Sequence, residues 1–237
     1  MHDHVCLITG AGSGVGRAVA VEMAGLGASI GLVGRTSETL EESAELVKAA
    51  GGKAVMVTAD VGVEVQTEAA VRRIATEYRR VDSLVMCAGI GIFGPVERYQ
   101  TSDWDSTIRT NLTGAFLASR AAIPHLRSAG QGSIVAISSG AGKQGYANLA
   151  AYSASKFGLM GLMQALAEEL GPSGVRVSTV VPGSILTEFG GTSLDEKRQR
   201  SKEGRRYLAP SAVARAVVYL LQSPPGAWTQ ELNLWPS

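Results

Sequence analysis

Val5 to Thr9 is a short apolar run that breaks into Gly10-Ala11-Gly12-Ser13-Gly14-Val15-Gly16, after which Arg17 to Leu26 returns to apolar residues at helical spacing. A strand that ends in a glycine turn and re-enters a helix brings free backbone amides, and the positive end of the helix dipole, to a point where a pyrophosphate can sit. The strict G-x-G-x-x-G string is absent, because Val15 and Arg17 stand where a third glycine is needed. What is present is Thr9-Gly10-x-x-x-Gly14-x-Gly16. The glycines still let the backbone approach a phosphate closely. A plain tight turn between strand and helix is the competing reading, and the rest of the chain has to separate the two.

That rest alternates strand with helix throughout. Ala28 to Gly34 reads as a second strand, followed by a helix from about Glu38 to Ala50 with Ser37 as its cap. Lys53 to Thr58, Ser83 to Cys87, Gly132 to Ser138, Val175 to Val181 and Glu231 to Trp235 read as the remaining strands, with helices over Glu64 to Arg80, Asp103 to Arg127, Ala151 to Leu170 and Pro210 to about Leu221. Alternation without linker or repeat predicts an α/β fold: one doubly wound, Rossmann-type parallel sheet of about seven strands with helices on both faces, in a single domain over residues 1–237. In such a sheet the first and fourth strands are neighbours, so the turn after Thr9 and the small residues Ala88-Gly89 line one crevice.

The end of the second strand bears on the ligand. A site for NAD calls for a carboxylate there, and this chain has Gly34 followed by Arg35. An arginine beside an uncharged position suits the 2'-phosphate of NADP by charge and by bidentate donors, with a solvated loop arginine as the alternative.

Chemistry concentrates between Ser138-Ser139 and Tyr152-Ser153-Ala154-Ser155-Lys156. Residues four apart share a helix face, which sets the Lys156 ammonium beneath the Tyr152 phenol. Lowering a phenol from pH 10 to about 7 takes roughly 4 kcal/mol, which one cation about 4 Å away supplies at an effective dielectric near 20. Such a tyrosine becomes a general acid/base at neutral pH. Taken alone, the spacing also fits a tyrosine and a lysine that share a face by chance.

Net charge is +1, which gives no global attraction to nucleic acid or to an anionic membrane surface. The start of the chain has no basic and then apolar leader pattern, and no stretch reaches 18 uninterrupted apolar residues, so a cytoplasmic location is expected. Cys6 and Cys87 sit in apolar strands and read as buried thiols. His2, His4 and His125 are too scattered for a metal cluster or a Ser-His-Asp arrangement.

Together, Thr9-Gly10-x-x-x-Gly14-x-Gly16, Asp60, Ala88-Gly89, Asn111, Ser139, Tyr152-x-x-x-Lys156 and Pro182-Gly183 with Thr187 resemble the short-chain dehydrogenase/reductase family, over nearly the whole chain. The resemblance implies that Tyr152 is the catalytic acid/base, that Lys156 lowers its pKa and binds the nicotinamide ribose, that Ser139 holds the substrate carbonyl and that Asn111 maintains a proton-relaying water. It selects Ser139 over Ser138. It further implies cofactor contacts from Gly10, Ser13, Gly14, Val15, Gly16, Arg35, Asp60, Val61, Ala88, Gly89, Pro182, Gly183 and Thr187. Two departures stand out: Cys87 replaces the family's usual asparagine before Ala88-Gly89, and the C-terminus lacks the glycine-rich tail of the 3-oxoacyl-carrier-protein reductases.

The expected activity is hydride transfer between NADP(H) and a small-molecule carbonyl or secondary alcohol. A 3-oxoacyl-carrier-protein reductase and a non-catalytic NADP(H) sensor or scaffold are the alternatives. Small residues Ala154, Gly158 and Gly161 on an otherwise apolar helix, together with the family resemblance, imply a homodimer or homotetramer. Residues 184–208 read as a long loop over the site, a substrate lid. From Glu196 to Arg206 it holds six basic residues against two acidic ones, either a field for an anionic substrate or a solvated helix face.

Overall fold

The computed structural model describes residues 1–224 and 226–237. Seven strands, β1 (Val5–Thr9), β2 (Ser29–Gly34), β3 (Lys53–Thr58), β4 (Ser83–Met86), β5 (Ser133–Ile137), β6 (Arg176–Pro182) and β7 (Glu231–Leu234), form one sheet in the order β3-β2-β1-β4-β5-β6-β7. Every pairing is parallel, from Val5 opposite Ser29 to Pro182 opposite Leu234.

The twofold alternation of strand side chains sorts the core into two layers. Leu7, Leu84 and Ile134 point to one face, where α3 (Glu64–Tyr78), α5 (Gly114–Ser128) and α6 (Ala150–Leu170) bring Ile74, Leu126 and Leu159. Cys6, Ile8, Val85 and Val135 point to the other, against Val19 and Met23 of α1 (Gly14–Gly25), Leu40 of α2 (Ser37–Ala49) and Val217 of α8 (Pro210–Leu221). The central strands β1 and β4 are buried along their length, which is why they read as unbroken apolar runs rather than alternating ones.

Four expectations change. The helix expected over Asp103 to Arg127 is three pieces: α4 (Thr101–Ile108), a π-helical turn over Arg109–Thr113, and α5. Asn111 lies within the π turn and is 1% exposed, not turned to solvent. Ser37 does not cap α2: Thr36 precedes the helix, and the Ser37 hydroxyl donates to Glu41 Oε1 at 3.0 Å within the first turn. Strand β6 runs through Pro182, which a terminal position tolerates because Gly183, one residue on, supplies the amide that bonds Leu234 O. Finally, residues 184–208 are not a structureless loop. They contain α7 (Leu194–Lys202), capped by Ser193, whose Oγ accepts from the Glu196 amide at 3.2 Å, and they close on themselves through a bridge between Ile185 and Leu208.

Candidate active site

The carboxyl ends of β1, β4, β5 and β6 open into one crevice of about 1290 Å³. Its floor begins with the glycine turn. Gly10 has φ +67°, and a Cβ there meets the Ala88 amide nitrogen at 2.6 Å; a Cβ on Gly16 meets the Gly10 carbonyl oxygen at 2.2 Å. Both contacts are with backbone, which cannot swing aside, so the turn closes against α1 and against the end of β4 only with glycine at these positions. Ser13 makes no capping bond to α1, which leaves the first-turn amides facing the crevice.

Lining the same crevice are Ser13 from the turn and Gly14, Val15 and Gly16 from the start of α1, Gly34 and Arg35 at the end of β2, Asp60 and Val61 after β3, Ala88 and Gly89 after β4, and Pro182, Gly183 and Thr187 at and beyond the end of β6. All the cofactor-contact candidates from the sequence therefore share one surface. Asp60 also accepts the Gly62 amide at 2.9 Å, which fixes the turn that carries Val61. Arg35 is exposed at the rim and forms no ion pair among the described residues.

Ser139, Tyr152 and Lys156 meet deeper in. Ser139 follows β5 in an extended conformation and its hydroxyl accepts from Ala141 N at 3.1 Å. Ser138 is turned into the protein, its Oγ without a partner among the described residues. Tyr152 and Lys156 lie on the stripe of α6 that continues inward as Leu159, Met163 and Leu166, so core packing of the helix fixes both side chains. The Lys156 ammonium donates to the Ile137 carbonyl at 2.8 Å and lies 5.8 Å from the centre of the Tyr152 ring.

Burial dominates the electrostatics. It pushes the Tyr152 phenol up to about 12, with the Ser139 hydroxyl pulling the other way, and it brings Lys156 down to about 8. The phenol therefore moves up, against the direction expected from the Tyr-Lys spacing. The reason is geometric: the ammonium is anchored on the Ile137 carbonyl, and both groups sit where their charged forms are poorly solvated.

Asn111 lies behind this set and does not line the crevice. Its Nδ2 donates to Ile90 O at 2.9 Å and to Ser155 Oγ at 3.0 Å, and its Oδ1 accepts from Ile90 N at 2.8 Å. It thereby ties the chain after β4 to α6, one residue from Lys156.

A glycine turn, a Ser-Tyr-Lys set with Tyr152 and Lys156 buried, and a parallel sheet in this strand order agree with the comparison of sequences, in which the family described as short chain dehydrogenase matches residues 4–198. The chain belongs to the short-chain dehydrogenase family. It is 37% identical to the D-threitol dehydrogenase of Mycolicibacterium smegmatis, over 91% of this chain and 85% of that one. It is also 35% identical to the glycine betaine reductase ATRR of Emericella nidulans over 98% of its own length, but spans only 18% of that longer protein. Levodione reductase superimposes with a TM-score of 0.91 at 31% identity, over 99% of this chain and 96% of that one. A metagenomic short-chain oxidoreductase in complex with NADP gives 0.87 at 34% identity, over 100% and 99% of the two chains. Carveol dehydrogenase from Mycobacterium avium in complex with NAD gives 0.89 at 29%, over 99% and 96%. As a short-chain dehydrogenase the chain is an oxidoreductase that uses a nicotinamide cofactor, and relatives of similar likeness carry either form of it.

In this short-chain dehydrogenase several site residues have no local sequence signal. Arg17 donates to Gly12 O at 2.5 Å, Thr39 O at 3.2 Å, Ser43 Oγ at 3.0 Å and Glu42 Oε2 at 2.7 Å, so it clips the glycine turn to α2. Phe93, Tyr146, Phe189 and Trp235 also line the crevice, and Phe93 and Phe189 pack on Tyr152 with ring centres 5.9 and 5.4 Å away. These pairs are distant in sequence, so no spacing rule finds them.

Proposed function

We propose that this chain reduces a small-molecule carbonyl to a secondary alcohol with NADPH, with Tyr152 as the general acid. The observation that carries the reading is the meeting of Ser139, Tyr152 and Lys156 at the inner end of the same crevice whose outer half is the glycine turn. The fit to a dinucleotide rests on that turn: its amides face the crevice, and the two close backbone approaches leave no room for a Cβ at Gly10 or Gly16.

When bound, the dinucleotide supplies the hydride. The chain does the rest. The amides of Ser13, Gly14, Val15 and Gly16 would hold the pyrophosphate, Asp60 and Val61 the adenine, Ala88, Gly89, Pro182 and Gly183 would wall the nicotinamide half, and Thr187 would meet the carboxamide. Arg35, which forms no ion pair among the described residues and stands beside Gly34, would hold the 2'-phosphate. Ser139 and Tyr152 donate to the substrate oxygen, which polarises the carbonyl and orients it. A phenol held near 12 keeps its proton throughout the neutral range, the form an acid for carbonyl reduction requires. Lys156, with its pKa near 8, restores that proton, and Asn111 holds the Ile90 loop and α6 in register around it. The segment over residues 184–208 acts as the lid: Lys197 of α7 donates to Thr187 O and Phe189 O and so pins the strand-end loop across the crevice. A sensor without turnover has no use for this inner set.

The test is Tyr152→Phe. Cofactor affinity is expected to stay near that of the parent, while turnover falls by the roughly 10² to 10⁴-fold that removal of a general acid/base produces. Retention of a tenth or more of parental kcat overturns the assignment.

A further inference from the structure

We infer that the substrate is a neutral, ring-bearing ketone or secondary alcohol, selected by Phe93 and Phe189 over Tyr152. This rests on the oxidoreductase reading and adds the class of substrate. Phe93, Tyr152 and Phe189 form a closed triangle: their ring centres are 5.9, 5.4 and 6.4 Å apart, with planes inclined by 76°, 55° and 59°. The separations are those of aromatic packing, edge-to-face for Phe93 on Tyr152 and tilted for the other two pairs, and here they cover the phenol. Each phenylalanine keeps an outer side in solvent, at 42% and 37% exposure, while Tyr152 beneath is 8% exposed.

The closure depends on two positions without a side chain. A Cβ on Gly190, where φ is +80°, meets the Phe93 ring at 2.3 Å; a Cβ on Gly91 meets the Phe189 and Phe93 rings at 2.7 Å each. The rings meet over the phenol because both loops bring glycine to the crossing. Composition is skewed the same way. The chain has only 3 Trp, 6 Tyr and 4 Phe, yet Phe93, Tyr146, Tyr152, Phe189, Tyr207 and Trp235 all line this one crevice. A substrate reaches the phenol by parting the two phenylalanines, so it must offer Tyr152 the contacts the rings gave up. A flat or alicyclic ring does so; a thin alkyl chain does not.

Several side chains of the basic segment are engaged within the chain itself, although Lys197, Arg200 and Arg205 also line the crevice. Lys197 spends its protons on the Thr187 and Phe189 carbonyls, Arg198 pairs with Asp195, Arg200 pairs with Glu196, and the Arg205 guanidinium lies over the Tyr207 ring at 5.8 Å. Lys197 in particular holds the backbone of Phe189 itself, so this one charge of α7 serves the aromatic cover.

Affinity for a ketone is read without turnover on the parent protein saturated with oxidised dinucleotide, by calorimetry. The probes are benzylacetone, a straight-chain methyl ketone of the same carbon count, and benzylacetone bearing a ring carboxylate. Benzylacetone is expected to bind about tenfold tighter than the straight-chain ketone, and the carboxylate to bring no gain. Phe93→Ala and Phe189→Ala, and the volume-keeping Phe93→Leu and Phe189→Leu, are each expected to remove the advantage and leave dinucleotide affinity unchanged. Equal or tighter binding of the straight-chain probe, tighter binding of the carboxylated probe than of benzylacetone itself, persistence of the advantage in all four variants, or no ketone binding at all overturns the inference. If benzylacetone binds as expected but no carbonyl compound is reduced by the parent with either dinucleotide, the oxidoreductase reading fails and the aromatic pocket stands.

Discussion

Lys156 sits one helical turn below Tyr152, yet its ammonium is hydrogen-bonded to the Ile137 carbonyl at 2.8 Å and lies 5.8 Å from the phenol ring centre. The lysine is thus fastened to the end of β5, the strand that delivers Ser139. One hydrogen bond fixes the relation between the two halves of the inner site.

Burial of Lys156 has a measurable consequence for stability. Its pKa falls from 10.5 to about 8 on folding, so between those values the unfolded chain binds more protons than the folded one. Stability therefore rises with pH across that window, by about 1.4 kcal/mol per pH unit from this group alone. In Lys156→Met the rise is absent. The stability difference between parent and variant, followed by denaturant melts from pH 7 to 10, is expected to be flat below about pH 8 and to turn in the parent's favour above it. A difference independent of pH contradicts the buried, depressed lysine.

Asn111→Ala leaves Ile90 N–H and Ile90 C=O, both partly buried, and one buried Ser155 hydroxyl contact without partners. With a buried unsatisfied group costing about 1 to 3 kcal/mol and the partly buried ones less, a loss of about 2 kcal/mol is expected in urea melts, together with a fall in kcat larger than any change in dinucleotide affinity. A loss under about 1 kcal/mol shows that the Ile90 loop does not depend on the amide.

For cofactor choice, the parent is expected to favour NADPH over NADH in kcat/KM, and Arg35→Ala to cut that preference by roughly ten- to a hundredfold, the worth of charge-assisted hydrogen bonds of about 1.5 to 3 kcal/mol. Adding Gly34→Asp is expected to reverse it through a repelling carboxylate. The new Cβ meets Leu40 Cδ2 at 3.2 Å, a flexible side-chain end that yields by a few tenths of an ångström. A parent that prefers NADH assigns Arg35 to solvent.

Assembly is open to a direct test. Phe116 of α5 and Phe157 of α6 are 44% and 48% exposed, and nothing lies within 4 Å of a Cβ built on Gly161. Gly158, in contrast, is used within the chain, where a Cβ meets Leu112 at 2.7 Å. Sedimentation of the parent is expected to give a multiple of 24.6 kDa, and Phe157→Glu to shift it toward one chain. A parent that sediments as a single chain at micromolar concentration rules assembly out.

What the sequence by itself determined is local or periodic. The turn from Thr9 to Gly16, the alternation of strand and helix, and the Tyr152 to Lys156 spacing each depend on residues within a few positions of one another, where backbone geometry leaves little choice. Strand order followed because a parallel sheet with right-handed crossovers has few ways to wind, and that put Gly10 beside Ala88. The tertiary structure alone decided what depends on distant partners. It inserted the π turn within which Asn111 meets Ile90 and Ser155, and it folded α7 out of a segment whose polar composition resembled a loop. It also brought Phe93 and Phe189, nearly a hundred positions apart, together over Tyr152. The ionisation of Tyr152 was decided there too. Spacing on a helix fixes that Lys156 is near, but the direction in which a phenol titrates depends on how much water the rest of the fold leaves around it, and here the fold leaves very little.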